Sequence, residues 1–429
     1  MTGLPSGFLD QLKPLLGDDL ERFIASFDQP AHRGIRFSTR RVPPAVSGLL
    51  SPIPWAGNAW YLAEDATAGS HPLHDAGAYY LQEPSAMAAV SALAPQPGDL
   101  VLDLCAAPGG KATQIADRLK GEGALVANEI NPARARILAR NLERMGIVNA
   151  AVTCESPARL AQRLPAAFDS ILVDAPCSGE GMFRREPDTR AQWRMESPAG
   201  CALRQIEILR SAALLLRPGG KLVYSTCTFN EVENEALISG FLDEHPGLKL
   251  QPFHLPGLPE AQAGMLRIWP HLHPGEGHFV ALMTLDGDAA PRKMPPPRKC
   301  LPEISALVAS WAHAPVPANH IAGRTAIHVS PALPDLTGLR VISLGPALAD
   351  LSSPTPKPAH ALALISQPRQ MIELILEDAL RFQQGHPLSV PAALTSWTAP
   401  CLSGWPLGWG KASGGIMKNH YPKGLRRPL

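Results

Sequence analysis

Cysteine is scarce in this chain, with seven in 429 residues, an odd number, widely spaced and without a CxxC pair. That excludes a disulfide scaffold, argues against a structural zinc or other metal site, and suits free thiols in a reducing compartment. Long apolar runs are also missing. Nothing is long enough to span a bilayer, and Met1-Thr2-Gly3-Leu4-Pro5 has no basic region leading into an apolar stretch. A cytoplasmic protein without membrane attachment is the expectation. An excess of one charge is absent too: 39 Lys+Arg face 38 Asp+Glu, a formal net charge of +1. Any polyanion site must therefore come from local clustering.

What is present is 45% hydrophobic residues in 45.8 kDa, which excludes general disorder and suggests two or three domains. The 36 Gly and 45 Pro follow no repeating period, so collagen and repeat arrays are set aside.

Near the start, Phe8, Leu9, Leu12, Leu15 and Leu16, then Leu20, Phe23 and Ile24, recur at helical spacing around Gly17. The run Arg33-Gly34-Ile35-Arg36-Phe37-Ser38-Thr39-Arg40-Arg41 holds four arginines in nine residues. It predicts a basic edge strand whose arginines face phosphates or, more plainly, solvent. From about 82 to 285, apolar strands alternate with helices. Strands are expected at Leu100–Leu104, Ala124–Asn128, Ala150–Thr153, Ser170–Val173 and Lys221–Ser225. Helices are expected at Lys111–Lys120, Pro132–Met145, Leu203–Leu216 and Glu235–Glu244. Such alternation favours a largely parallel sheet covered on both faces.

The stretch 286–300 is Pro-rich and basic and predicts a linker. Beyond it, helices are expected at Ile304–Trp311 and Ile372–Leu380, and strands at Arg340–Ser343 and Ala361–Ile365. After Asp378 there is no acidic residue, while Arg381, Lys411, Lys418, Lys423, Arg426 and Arg427 supply six positive charges. Trp405, Trp409 and Tyr421 interleave with them. They predict base-stacking surfaces, the core of a small barrel, or both at once.

Asp103-Leu104-Cys105-Ala106-Ala107-Pro108-Gly109-Gly110-Lys111 lies between a strand and a helix. Its small residues let a ligand approach the backbone. It has neither GxGxxG nor a Walker Gly-Lys-Ser/Thr, so NAD and ATP are poor fits and some other nucleoside-containing ligand is expected. Asp103 is placed to meet a positive group. Glu129 ends the next strand, where a carboxylate accepts ribose hydroxyls. Arg134, one turn on, either braces Glu129 or forms a surface ion pair.

Cys177 and Cys227 each follow an apolar strand, and Asp174 shares their rim. Two thiols and a carboxylate suit methylation of cytosine C5, in which a thiolate adds at C6 and makes C5 nucleophilic. An acid at N3 is needed as the adduct forms. A protonated Asp174 could supply it if its pKa is raised. A second group must take the C5 proton. The same pair of thiols also admits a redox reading, against which stands their separation onto two strands.

These segments resemble the signatures of the NOL1/NOP2/Sun family of RNA 5-methylcytosine methyltransferases: Asp103 to Lys111, Asp174-Ala175-Pro176-Cys177-Ser178-Gly179-Glu180-Gly181, and Tyr224-Ser225-Thr226-Cys227-Thr228. The resemblance implies a Rossmann-like domain that uses S-adenosylmethionine (SAM), with Cys227 as nucleophile and Cys177 in product release. It implies that Asp174 contacts the cytosine and that Cys105, Ala106, Ala107, Pro108, Gly109, Gly110, Lys111 and Glu129 bind SAM. Arg134, Ser156 and Asp174 join that cofactor set, and Lys111 joins Cys227, Cys177 and Asp174 in the catalytic one. His71-Pro72-Leu73-His74 and Gly77 to Ala86 resemble the family's stretch before the catalytic domain. Pro406 to Lys411 and Lys418 to Arg426 resemble the C-terminal PUA-like RNA-binding domain of its bacterial 16S ribosomal RNA subgroup.

The implied organisation is α/β. Residues 1–81 form an N-terminal α+β region that binds RNA or substrate, and 82–285 the methyltransferase domain. A linker follows at 286–300, and 301–429 end in the PUA-like domain. The expected partner is 16S ribosomal RNA or the small-subunit particle, with neither DNA nor membrane. The rivals are a DNA cytosine-5 methyltransferase with Cys177 as nucleophile and a non-catalytic ribosome assembly factor. Two departures stand out. Arg36-Phe37-Ser38 replaces the family's Arg-Val-Asn, and Ser156, beside Glu155, occupies a position that is often an adenine-side Asp.

Overall fold

The computed structural model describes residues 3–288, 292, 295–296 and 298–426. Met1 and Thr2, part of the expected linker and Arg427 of the basic tail lie outside them.

Two short helices, Ser6–Leu16 and Leu20–Ser26, follow the apolar spacing and are separated by a turn at Gly17–Asp19. Their buried Phe8, Leu12 and Phe23 pack against Phe183, Trp193 and Phe229 of distant loops. Next comes an antiparallel sheet of β1 (Arg33–Phe37), β2 (Leu49–Pro52), β3 (Ala59–Leu62) and β4 (Tyr79–Leu81), in the order β2-β3-β1-β4. β1 is therefore interior, and the expectation of a basic edge strand fails.

Its arginines are engaged inside the protein. Arg36 is 1% exposed, bonds Thr113 Oγ1 at 2.8 Å and pairs with Asp117 at 3.5 Å. Arg33 bonds the carbonyls of Glu64 and Ala66. Arg40 and Arg41 bond the carbonyls of Leu364 and Ser366, and both lie over the Trp405 ring. A guanidinium carries five donors, and here backbone carbonyls and side chains of neighbouring segments take several of them in place of phosphate.

The apolar runs become β5 (Leu100–Asp103), β6 (Ala124–Asn128), β7 (Ala150–Thr153), β8 (Phe168–Asp174) and β9 (Leu216–Thr226), parallel in the order β7-β6-β5-β8-β9. β10 (Leu248–Leu250), β11 (Met265–Ile268) and β12 (His278–Leu285) extend the β9 side antiparallel. Both faces are covered. Val101, Leu125 and Val223 meet the helix Met87–Leu93 and Ile115, while Leu102, Val126 and Ile171 meet Leu209, Leu215 and Phe241. The strand order reverses at β5, between β6 and β8, and such switch points open a crevice at the carboxyl ends.

The sheet's far edge is completed from the C-terminal part of the chain. Val341–Ser343 pairs antiparallel with β7, Cys154 N donates to Arg340 O, and Glu155 Oε1 accepts from Arg340 N at 2.6 Å. Residues 360–365 form a helix, although a strand was expected. The five-residue apolar run Ala361–Ile365 has no decisive period, and all of it is buried. The helix expected from Ile372 instead begins as a strand, Met371–Glu373, parallel to Ser396–Leu402; the helix is Leu376–Gln384, with Glu377 and Asp378 in its first turn. Trp405, Trp409 and Tyr421 are at most 3% exposed. Their rings are core, and the stacking reading is corrected. Lys411, Lys418 and Lys423 remain exposed.

Candidate active site

Backbone hydrogen bonds hold the Gly-rich loop across the switch point: Leu104 N donates to Leu172 O of β8, and Ala106 N to Asn128 O of β6. The loop ends in the helix Gly110–Leu119, which aims Lys111 across to β8. Lys111 Nζ lies 2.8 Å from Asp174 Oδ2, and Ser225 Oγ donates to Asp174 Oδ1 at 2.9 Å. Burial raises the Asp174 pKa, but the Lys111 ammonium, His278 and these hydrogen bonds outweigh it, so the carboxyl sits below its usual range. For Lys111, burial alone would lower the pKa, and the Asp174 carboxylate reverses the sign. The expected protonated Asp174 is thus corrected to a carboxylate held by an ammonium.

Cys177 Sγ and Cys227 Sγ are 3.3 Å apart. The contact with Cys227, then burial, pushes the Cys177 thiol well above the ordinary cysteine range. The two loops are stitched together. Ser178 Oγ meets Thr228 Oγ1 at 2.8 Å, Gly181 N donates to Cys227 O at 2.8 Å, and Glu180 Oε2 accepts from Phe229 N and Asn230 N. Glu233 Oε2 accepts from Ser178 N and from Gln205 Nε2. Glu180, Asn230 and Glu233 drew no role from the sequence, although they lie in or beside the Pro-Cys and Thr-Cys motifs.

Two clefts meet here. One, of about 690 Å³, is lined by Cys105, Ala107, Glu129, Arg134, Ser156, Asp174, Cys177 and Cys227. The other, of about 330 Å³, is lined by Asp103, Ala106, Pro108, Gly110, Lys111, Asp174, Cys227 and His278. Both volumes suit small-molecule sites. Cys105, Ala107, Ala175, Asp174 and Cys227 belong to both. The predicted cofactor loop is therefore a partition between two clefts. Gly109 lines neither; at φ 116° it lies against Leu138 and Asn141 of the helix Pro132–Arg144.

Glu129 is 4% exposed. Its Oε1 accepts from Asn131 N at 2.8 Å and its Oε2 lies 3.3 Å from Arg134, whose other nitrogen bonds Ala107 O at 2.9 Å. Arg134 thus braces Glu129 and the loop together. Ser156 lines the Glu129 cleft while its Oγ caps the helix Pro157–Arg163, accepting from Arg159 N at 3.2 Å. Asp103 is fully buried, neither of its oxygens has a hydrogen-bond partner, and burial raises its pKa to about 8. Among the described residues, no group of three or more His, Cys, Asp and Glu is arranged to hold a metal, and no helix is long and apolar enough to cross a membrane.

Sheet, switch-point loop and paired clefts define a Rossmann-like methyltransferase fold with an N-terminal domain and a C-terminal PUA domain. A methyltransferase homologue from Pyrococcus horikoshii superposes with a TM-score of 0.56 at 29% identity, covering 66% of this chain and all of its own. NSun6 from the same organism, solved with SFG, shares the fold at 20% identity and a TM-score of 0.58, covering 67% of this chain. Residues 90–284 match the family described as 16S rRNA methyltransferase RsmB/F, residues 4–84 the N-terminal domain of 16S rRNA methyltransferase RsmF, and residues 369–427 the methyltransferase RsmF PUA domain. The ribosomal RNA small subunit methyltransferase F of Klebsiella pneumoniae is 33% identical over 99% of this chain and 96% of its own length. That of Erwinia tasmaniensis is 36% identical over 68% of this chain and 65% of its own length. The chain belongs to the RsmF family of 16S ribosomal RNA methyltransferases.

Proposed function

We propose that the protein transfers a methyl group from SAM to C5 of a cytosine in 16S ribosomal RNA, with Cys227 bonded to C6 during the reaction. The observation that carries this reading is that Cys227 and Asp174 line both clefts. A ring in the Lys111 cleft and a methyl donor in the Glu129 cleft would meet over one sulfur and one carboxylate.

The residues fit SAM. Glu129 offers a buried carboxylate, braced by Arg134 at a strand end, for ribose hydroxyls. When bound, SAM supplies a methyl group made electrophilic by its sulfonium charge. The chain supplies the rest. A Cys227 thiolate adds to C6 and leaves C5 electron-rich. With Asp174 ionised, the donor toward the N3 and O2 edge is the Lys111 ammonium, while Asp174 accepts from the amino group. Cys177 is held as a thiol by its contact with Cys227. Once Cys227 carries the ring as a thioether, that contact no longer holds the Cys177 proton; with that proton passed to solvent, the Cys177 thiolate takes the proton from C5. The electrons of that C–H bond re-form the C5–C6 double bond as Cys227 leaves as a thiolate. Cys177 does not line the Lys111 cleft and Cys227 does, which disfavours the DNA-methyltransferase reading with Cys177 attacking. The complete set of reactive groups disfavours a non-catalytic assembly factor.

The RNA would approach the mouth of the Lys111 cleft, where Arg185 is exposed, with the C-terminal lysines as a second contact and the target base out of its stack. The test is incubation of purified protein with SAM and 16S ribosomal RNA, free and in the small-subunit particle, followed by nucleoside analysis. New 5-methylcytidine is expected. Its absence from every substrate, with SAM bound, overturns the reading.

A further inference from the structure

His278 opens β12 at the wall of the Lys111 cleft and is 2% exposed. Its Nε2 is shielded from water, has no hydrogen-bond partner, and lies 3.7 Å from Asp174 Oδ1. Burial, then the Lys111 ammonium, lower the imidazole pKa to about 4, so the ring is neutral with one N–H and one lone pair. With the proton on Nδ1, Nε2 turns its lone pair toward the gap beside Asp174.

Two acceptors then face one gap: Asp174 Oδ1, which already accepts from Ser225 Oγ, and an imidazole nitrogen with no partner. The nitrogen is buried, while Asp174 is 32% exposed. Leaving the nitrogen unmatched costs free energy, and a group carrying two N–H bonds would satisfy it and add a bond to the carboxylate. Among pyrimidines, cytosine presents that group at C4 as an amino group; uracil presents an oxygen there, a third acceptor. Lys111, on the other side of Asp174, is a donor and matches the acceptor N3 and O2 edge shared by the ring.

The geometry points to His278 as a specificity-determining residue that, together with Asp174, reads the exocyclic amino group of the target base and so rejects uracil. The inference rests on the cytosine-methylating reading above and extends it to a residue outside the motifs.

The experiment compares kcat/KM for RNA carrying, at the target position, either cytidine or the pyrimidin-2-one ribonucleoside, which lacks the amino group. Wild type is expected to favour cytidine by about tenfold or more, as sites built around a substrate N–H do. His278→Phe keeps a planar ring without the acceptor, and His278→Asn moves the amide away from the Nε2 position. Both should bring the ratio close to one while SAM binding is retained. His278→Gln, which carries an acceptor at the Nε2 position, should restore the preference. A wild-type ratio in the Phe or Asn variant, whatever its overall rate, makes His278 packing only and overturns the inference. Absence of 5-methylcytidine with wild-type protein is a different failure, which removes the functional reading and this one together.

Discussion

The sulfurs of Cys177 and Cys227 stand 3.3 Å apart, yet their places differ: Cys227 lines both clefts and Cys177 only the one with Glu129. The contact between them, then burial, pushes the Cys177 thiol well above the ordinary cysteine range. The division of labour predicts two different lesions. Cys227→Ala should abolish methyl transfer and leave SAM binding, measured by calorimetry, unchanged. Cys177→Ala should still form the RNA adduct but release it slowly, giving an RNA–protein band that survives a denaturing gel. Normal turnover by Cys227→Ala, or a covalent link mapped to Cys177 by mass spectrometry, would exchange the roles.

Asp103 predicts a pH dependence of stability. Its native pKa of about 8 stands above the ordinary 3.8 because the carboxyl is buried, with the Asp174 charge adding to the effect. Between those values the folded protein binds a proton that the unfolded chain does not. Stability contributed by this group is therefore fully present below about pH 4 and lost as pH rises toward 8. The loss should amount to a few kcal/mol, on the order expected for a shift of several pH units. Urea denaturation from pH 5 to 8 should show the decline in the unliganded protein, and Asp103→Asn should flatten it. Equal slopes in the two proteins would mean that Asp103 ionises without cost.

The catalytic sheet was legible because Leu100–Asp103 and Ala124–Asn128 are apolar runs that each end in a residue type with chemistry to offer, and parallel strands place such ends together. Asp174 and Cys227 were legible for the same reason. The protonation of Asp174 was not, because it depends on Lys111, whose reach across the switch point exists only in the fold. The helix 360–365 was hidden by a run too short to show a period. Glu180 and Glu233 looked like ordinary loop acids; only the return of two distant loops reveals them as acceptors for backbone N–H groups. The Arg33–Arg41 run misled because charge says where a cation is and nothing of what will neutralise it.

That last difference separates two arginines. Arg36 is sealed between β1 and the helix Gly110–Leu119, bonded to Thr113 and Gln82 and paired with Asp117. Arg185 lies exposed where the Lys111 cleft opens. Removing one member of a buried pair strands the other, so Arg36→Ala should cost about 3–5 kcal/mol in urea denaturation. The folded variant's dependence of RNA binding on salt should not change. Arg185→Ala should alter stability by no more than about 0.5 kcal/mol. It should weaken RNA binding and reduce the slope of log K against log salt by about 1, the loss of one phosphate contact. Filter binding across a salt series, read beside the urea curves, separates the two effects. A reduced slope for Arg36→Ala would return the β1 arginines to the RNA surface, and an unchanged slope for Arg185→Ala would move the path of the RNA away from this mouth.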